Sequence, residues 1–215
     1  MRIRLHLKLF LFIVIFIITK QIEIYGLIML FAALHEFGHM ITGIILGFRP
    51  NKIDILPYGL SIGFEEKVDN YRQKTRKSTL FLLRKIMITL NGPLINLLFI
   101  VVFYLFPINL FEISRENIIY ANILIGIFNL LPIYPLDGGR ILKYILQIIY
   151  GEEKSYNYIF KISYITVVIL TATSSIVILY LKNIAVLVIL FYLWYLVLKN
   201  REKGHEEERG ILINT

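Results

Sequence analysis

The run from residue 24 to residue 46 constrains this chain most, because it is apolar enough to cross a bilayer yet carries His35-Glu36-Phe37-Gly38-His39 near its middle. About 20 consecutive apolar residues span the hydrocarbon core as a helix, which satisfies its own backbone polar groups. Histidine and glutamate are costly at that depth, and where they occur they mark function by default. Comparable apolar runs recur along the chain: 57% of the 215 residues are hydrophobic, and mean hydropathy is +0.70. Such values exclude an ordinary soluble domain and predict an all-α polytopic membrane protein.

Six spans are expected, at residues 9–19, 24–46, 86–106, 118–131, 162–181 and 184–198. The first is short and follows Arg2, Arg4 and Lys8, as a secretory signal would. No small-residue cleavage site comes after it, so it reads as an uncleaved span. Residues 1–198 are taken as one integral membrane domain and 199–215 as a charged cytoplasmic tail. Of 23 Lys and Arg, 20 then fall on one side, with Lys20, Arg115 and Lys182 opposite. By the positive-inside rule both termini are cytoplasmic, in a multi-pass protein of the cell membrane. The net charge of +8 is thereby accounted for. No basic-aromatic patch accompanies it, so nucleic acid is not an expected partner. Cysteine is absent, which leaves any metal site to histidines and acids.

Two imidazoles at i and i+4 lie about 40° apart around a helix and face one point. Zinc favours neutral imidazole nitrogen, and Glu36 beside the pair is placed to act as general base, the pattern of a metallohydrolase. A single histidine in an apolar helix is usually packed and hydrogen-bonded. Here two of the four histidines share one turn with a glutamate inside an expected span, which favours the metal reading.

Three further stretches break the apolar pattern. Within the basic segment 47–85, residues 53–64 read as two short extended pieces punctuated by Pro57, Gly59 and Gly63, a short membrane-associated β-hairpin between spans two and three. It is either a surface turn or a strand edge, around Gly59 and Ile62, for an extended peptide. Asn91-Gly92-Pro93 interrupts the third span; proline frees a carbonyl one turn back, and Asn91 and Asn96 are candidate partners for it. A simple packing kink explains the same residues. After the fourth span comes Asn129-Leu130-Leu131-Pro132-Ile133-Tyr134-Pro135-Leu136-Asp137-Gly138-Gly139-Arg140, whose prolines and glycine pair forbid a regular helix. Asp137 there is either a carboxylate aimed at a site or the N-cap of a helix starting at Gly138 or Gly139.

The ordered set His35-Glu36-Phe37-Gly38-His39, Asn91-Gly92-Pro93-Leu94-Ile95-Asn96 and Leu136-Asp137-Gly138 resembles the site-2 protease family of intramembrane zinc metalloproteases, peptidase family M50. The resemblance covers roughly residues 5–198 and is nearest the stage IV sporulation FB branch, whose members process a membrane-associated pro-sigma factor. It implies one Zn²⁺ held by His35, His39 and Asp137, with Glu36 as catalytic base. It also implies substrate contacts at Asn129 and Pro135, and near-site structural roles for Asn91, Gly92, Pro93 and Asn96. The implied partners are a membrane-associated or single-span substrate, the lipid bilayer and an inhibitory membrane protein. Two other classes compete. A metal or proton transporter would spread polar groups over repeated halves, whereas here they cluster in spans two to four. A catalytically inactive adaptor that binds a membrane helix would have no need of Glu36.

Overall fold

The structure is a computed structural model, and the residues it describes are 2–5, 17–18, 22–56, 59–65, 79–106, 113–181, 187 and 189–199. They divide into two compact units, Met1–Asn129 and Leu130–Thr215.

The first unit is built on two long helices. Helix α1, Ile22–Ile45, packs on α2, Thr79–Leu105, and the shorter α3 covers Arg115–Leu130. Their contact is apolar: Leu27 and Phe31 of α1, Phe103 of α2, and Ile118 and Ala121 of α3 form one buried cluster. Phe31 meets Phe99 edge-on at 5.2 Å between ring centres. An edge-to-face pair of this kind contributes about 0.5–1.5 kcal/mol beyond burial. The outer faces stay apolar, with Ile24, Ile28, Ile41 and Ile44 exposed on α1 and Leu94, Leu97, Leu98 and Val101 on α2. Continuous apolar surface on this scale belongs in lipid rather than water. The chain is a membrane protein, and among the described residues three helices are long and apolar enough to cross: α1, α2 and Glu152–Ser175.

Four of the expected spans are therefore altered or lie partly outside the described residues. Helix α3 has 16 residues, roughly 24 Å of rise against a core of about 30 Å. The first expected span lies mostly outside the described residues. Part of the sixth does too, and its described part is the short apolar helix Ile189–Lys199. The third begins seven residues earlier than residue 86, at Thr79, and runs unbroken through Pro93. The asparagines expected to patch the proline break point elsewhere. Asn91 Nδ2 donates to the Gly38 carbonyl on α1 at 3.0 Å and to Thr42 Oγ1.

The expected hairpin is present: β2, Arg49–Leu56, pairs antiparallel with β3, Gly59–Glu65. Leu56 stands opposite Gly59 and Ile53 opposite Ile62. A third strand, β1 (Arg2–Leu5), joins it in parallel, Arg2 opposite Lys52 and Leu5 opposite Ile55, giving the order β1-β2-β3. The basic head expected to precede a span is thus a strand. Its Arg-Ile-Arg-Leu alternation has the strand period, but four residues are too few to declare it without the remote partner. The hairpin packs against α1.

The second unit begins with a compact turn. Ile133 N–H donates to Leu131 O at 2.7 Å and Leu136 N–H to Ile133 O at 2.8 Å, and the Tyr134–Pro135 peptide is cis. Helix α4, Asp137–Tyr150, follows, then α5, Glu152–Leu181, against which it packs. A Cβ on Gly138 or Gly139 would lie within 2.6 Å of the Leu131 or Ile133 carbonyl oxygen, so the glycine pair is what lets α4 start against the turn. Tyr134 N–H donates to Ser163 Oγ on α5 at 3.0 Å. The final helix, α6 (Ile189–Lys199), is tied to α5 by Trp194, whose Nε1 donates to Thr171 Oγ1 at 3.1 Å.

Gly151 alone separates α4 from α5, at φ 83° and ψ 173°, with its N–H on Gln147 O at 3.1 Å. That backbone region is essentially reserved for glycine. Gly151→Ala is expected to destabilise the protein by about 1–3 kcal/mol, read as a lower unfolding midpoint in detergent. An unchanged midpoint would mean that the α4–α5 turn is not held in this conformation.

Candidate metal centre

The centre begins with helical spacing. His35 and His39 are one turn apart on α1, both buried, on the face turned to α2. Their rings stand edge-to-face, 4.8 Å apart and at 90°, and their Nε2 atoms are 3.2 Å from each other. Two nitrogens bound to one tetrahedral zinc at about 2.05 Å would lie roughly 3.3 Å apart. The pair already has the spacing of two ligands on a single ion.

Each ring is oriented through its other nitrogen. His39 Nδ1 sits 2.8 Å from the Ile88 carbonyl oxygen of α2. A carbonyl only accepts, so His39 carries its proton on Nδ1 and turns the Nε2 lone pair toward His35. His35 Nδ1 lies 2.6 Å from Asn96 Oδ1, and Asn96 in turn contacts Asn122 of α3 at 3.2 Å. A backbone carbonyl is a usual outer partner of a metal-bound imidazole, and the Asn96 amide oxygen can accept in the same way. Spacing, donor type and orientation all suit zinc.

Gly92 makes this arrangement possible. A Cβ built there would overlap the Nε2 atoms of both histidines, standing 2.6 Å from that of His35. The Asn91-Gly92-Pro93 stretch thus serves a close approach rather than a break, and Pro93 is buried within a continuous α2. His35, His39, Asn91, Gly92 and Asn96 come together where α1 meets α2. Glu36 is half-buried on the same helix turn.

Asn129 is half-buried in the last turn of α3. Gly59 and Ile62 lie on β3, in register with Leu56 and Ile53. Pro135 and Asp137 belong to the second unit. Asp137 is the first residue of α4, where a carboxylate also complements the helix dipole. The N-cap position is Leu136, with no side-chain cap, so the N-cap role considered for Asp137 is not the one it has. Arg140 lies one turn on, 4.0 Å away.

Residues that the motifs did not single out also matter here. Asn122 is fully buried in the apolar run 118–131, and an amide inside an expected span was its only signal. Lys143 is buried in the second unit with its ammonium 3.6 Å from the Tyr156 ring centre and 5.0 Å from that of Tyr134. It braces the turn that leads to Asp137 by cation–π contact.

Gly92→Ala would drive a methyl group against both imidazoles and should lower the zinc they can hold. Zinc per mole of detergent-purified protein is expected to fall at least about 10-fold, as when an outer support of a metal site is lost. Parental zinc content in this variant would contradict the packing of α2 beneath the imidazoles.

Comparison with known proteins follows the same lines. Residues 115–172 match the family described as Peptidase family M50. A zinc metalloprotease of Methanocaldococcus jannaschii is 29% identical over 168 residues, 71% of this chain and 45% of the relative. Stage IV sporulation protein FB of Bacillus subtilis is 24% identical over 144 residues, 65% of this chain and 46% of the relative. The chain therefore spans about half the length of the curated relatives it matches. The structure of a site-2 protease from Methanocaldococcus jannaschii shares its fold, with a TM-score of 0.61, 24% identity, and coverage of 92% of this chain and 89% of that one. By matched segment, curated relatives and fold together, the chain is similar to the site-2 proteases of peptidase family M50.

Proposed function

We propose that this chain is an intramembrane zinc metalloprotease, hydrolysing a peptide bond within or near a membrane segment of a substrate protein. The observation that carries the reading is the His35–His39 pair, with Nε2 atoms 3.2 Å apart on one turn of a candidate span and Glu36 beside them. His35 and His39 hold one Zn²⁺, and Asp137 is the third protein ligand. Asp137 is supported by its place in Leu136-Asp137-Gly138 and by zinc's need for more than two ligands. Zinc supplies the acidification of water and the polarisation of a peptide carbonyl. Glu36 accepts the proton from water and returns it to the departing amine. Asn129 and Pro135 contact the substrate.

Helical carbonyls are already hydrogen-bonded and shielded, so the substrate must be locally extended before attack. Strand β3 is the candidate support. It is an outer strand of the described sheet, and strand addition would run along its other edge, around Gly59 and Ile62. A membrane-associated pro-protein is the substrate class, and a sporulation pro-sigma factor is consistent with the similarity to stage IV sporulation protein FB. An inhibitory membrane protein is proposed as a further partner.

Ligand and base roles separate by experiment. Glu36→Gln keeps size and polarity but cannot take a proton; zinc should stay while cleavage of a membrane-anchored substrate falls by about 10²–10⁴. Asp137→Ala should lose zinc and cleavage together. Full zinc content in Asp137→Ala would remove it from the ligand set, and parental cleavage by Glu36→Gln would overturn the hydrolytic reading.

The protein is placed in the cell membrane with both termini cytoplasmic, on the strength of the basic residues around 47–85 and at the tail. Reporter fusions after Lys77 and in the C-terminal tail should both read as cytoplasmic, and one near Arg115 as the opposite face. A cytoplasmic signal at Arg115 would overturn this orientation.

A further inference from the structure

Asn96 is 1% exposed and Asn122 is 0% exposed, yet the two amides and His35 form a chain of three contacts ending on a backbone carbonyl. The last link sets the direction of the others. Asn122 contacts Ile118 O at 2.9 Å, and a carbonyl only accepts, so the atom facing it is the Asn122 NH₂ group. Asn122 Oδ1 is then the acceptor facing Asn96 at 3.2 Å, so Asn96 presents its own NH₂ there. Asn96 Oδ1 is left toward His35 Nδ1 at 2.6 Å, and the imidazole must donate. Its proton sits on Nδ1 and its lone pair on Nε2.

Reversing any one amide puts two acceptors face to face. Reversing both moves that conflict to Ile118, where the carbonyl cannot adapt. Both amides are fully buried, where a mismatched polar group is costly.

We propose that Asn122 is a positioning residue for the metal centre: acting through Asn96, it locks His35 into the tautomer whose Nε2 can bind zinc. The inference rests on the zinc-holding role of His35 in the proposed function. Asn122 does for His35, through two amides, what the Ile88 carbonyl does directly for His39. It lies on α3, so the element carrying the switch-free end of the chain is a different helix from those carrying the histidines and Asn96.

The test uses the full chain in detergent and reads zinc affinity by competition with a chromophoric chelator. Asn122→Leu removes the direction-setting amide while filling similar space. Its zinc affinity should fall about 10-fold, the lower end of the range for outer-shell partners. Asn96→Asp in the Asn122→Leu background should restore affinity to within about 3-fold of the parent, because a carboxylate beside a metal-bound histidine has two acceptor oxygens and no donor to misplace. A residue that merely fills space would not be rescued by that change. Unchanged affinity in Asn122→Leu, or no rescue in the double variant, would overturn the proposal.

A second arm needs no substitution. In alkaline, metal-free parent protein, ¹⁵N shifts of labelled histidine should report His35 as the Nδ1–H tautomer, and an Nε2–H tautomer would overturn the proposal. Cleavage measured alongside keeps the two readings apart. Zinc effects as expected in a parent that cuts no membrane substrate would sink the proteolytic reading and uphold the role of Asn122. Cleavage by the parent with no Asn122 effect would do the reverse.

Discussion

A polar group inside hydrocarbon has no water to fall back on, and the first unit is arranged around that constraint. Thr89 and Asn122 bond back to their own helix backbones, but the groups nearest the histidine pair are satisfied across helices. His39 reaches the Ile88 carbonyl of α2, His35 reaches Asn96, and Asn91 reaches back to the Gly38 carbonyl of α1. Interhelical bonds of this kind contribute about 0.6 kcal/mol each on average in membrane proteins, up to roughly 1.7. Lipid tails are as apolar as leucine, so helices gain little there from hydrophobic association. The groups that build the candidate centre are therefore also part of what joins α1 to α2.

Such bonds form only if the helices come close, and two small residues allow it. A Cβ on Gly38 would stand 2.7 Å from Ile95 Cγ1 and 3.1 Å from the Asn91 carbonyl oxygen. Gly92 of α2 lies directly against the two imidazoles. In a soluble helix each glycine would weaken the helix by about 1 kcal/mol relative to alanine. Here the lost propensity is offset by close backbone packing and by polar bonds that a wider separation would break. Below this level the apolar cluster around Phe31 and Ile118 holds α3 in place, which brings Asn122 within reach of Asn96.

The convergence of the two histidines was legible in the sequence because it depends on helical spacing, and i, i+4 on a span leaves little freedom. The hairpin was legible for a similar reason: its turn residues are local. What stayed hidden depends on partners distant in the chain. Strand β1 gains its identity from pairing with Lys52–Ile55 some fifty residues away. Pro93 suggested a broken helix, yet tertiary packing of α1 on α2 overrides that local preference. Asn91 and Asn96 were noticed as polar, but their targets on α1 and α3 follow from three-dimensional neighbours. Asp137 has the composition of an N-cap and opens a helix instead, because the turn before it, and not its own side chain, sets where α4 starts.

The two imidazoles are held by unequal means, and the difference has a chemical consequence. His39 is oriented by a main-chain carbonyl, which no substitution at position 88 removes. His35 is oriented by two side-chain amides in series, each replaceable. Changes in sequence can therefore adjust the basicity and alignment of one nitrogen while the other stays constant. An acid in place of Asn96 would raise the electron density at His35 Nε2, and an apolar residue in place of Asn122 would loosen it. A candidate centre with one arm set by the backbone and one by side chains would be tunable in affinity without redrawing the helix pair that carries it.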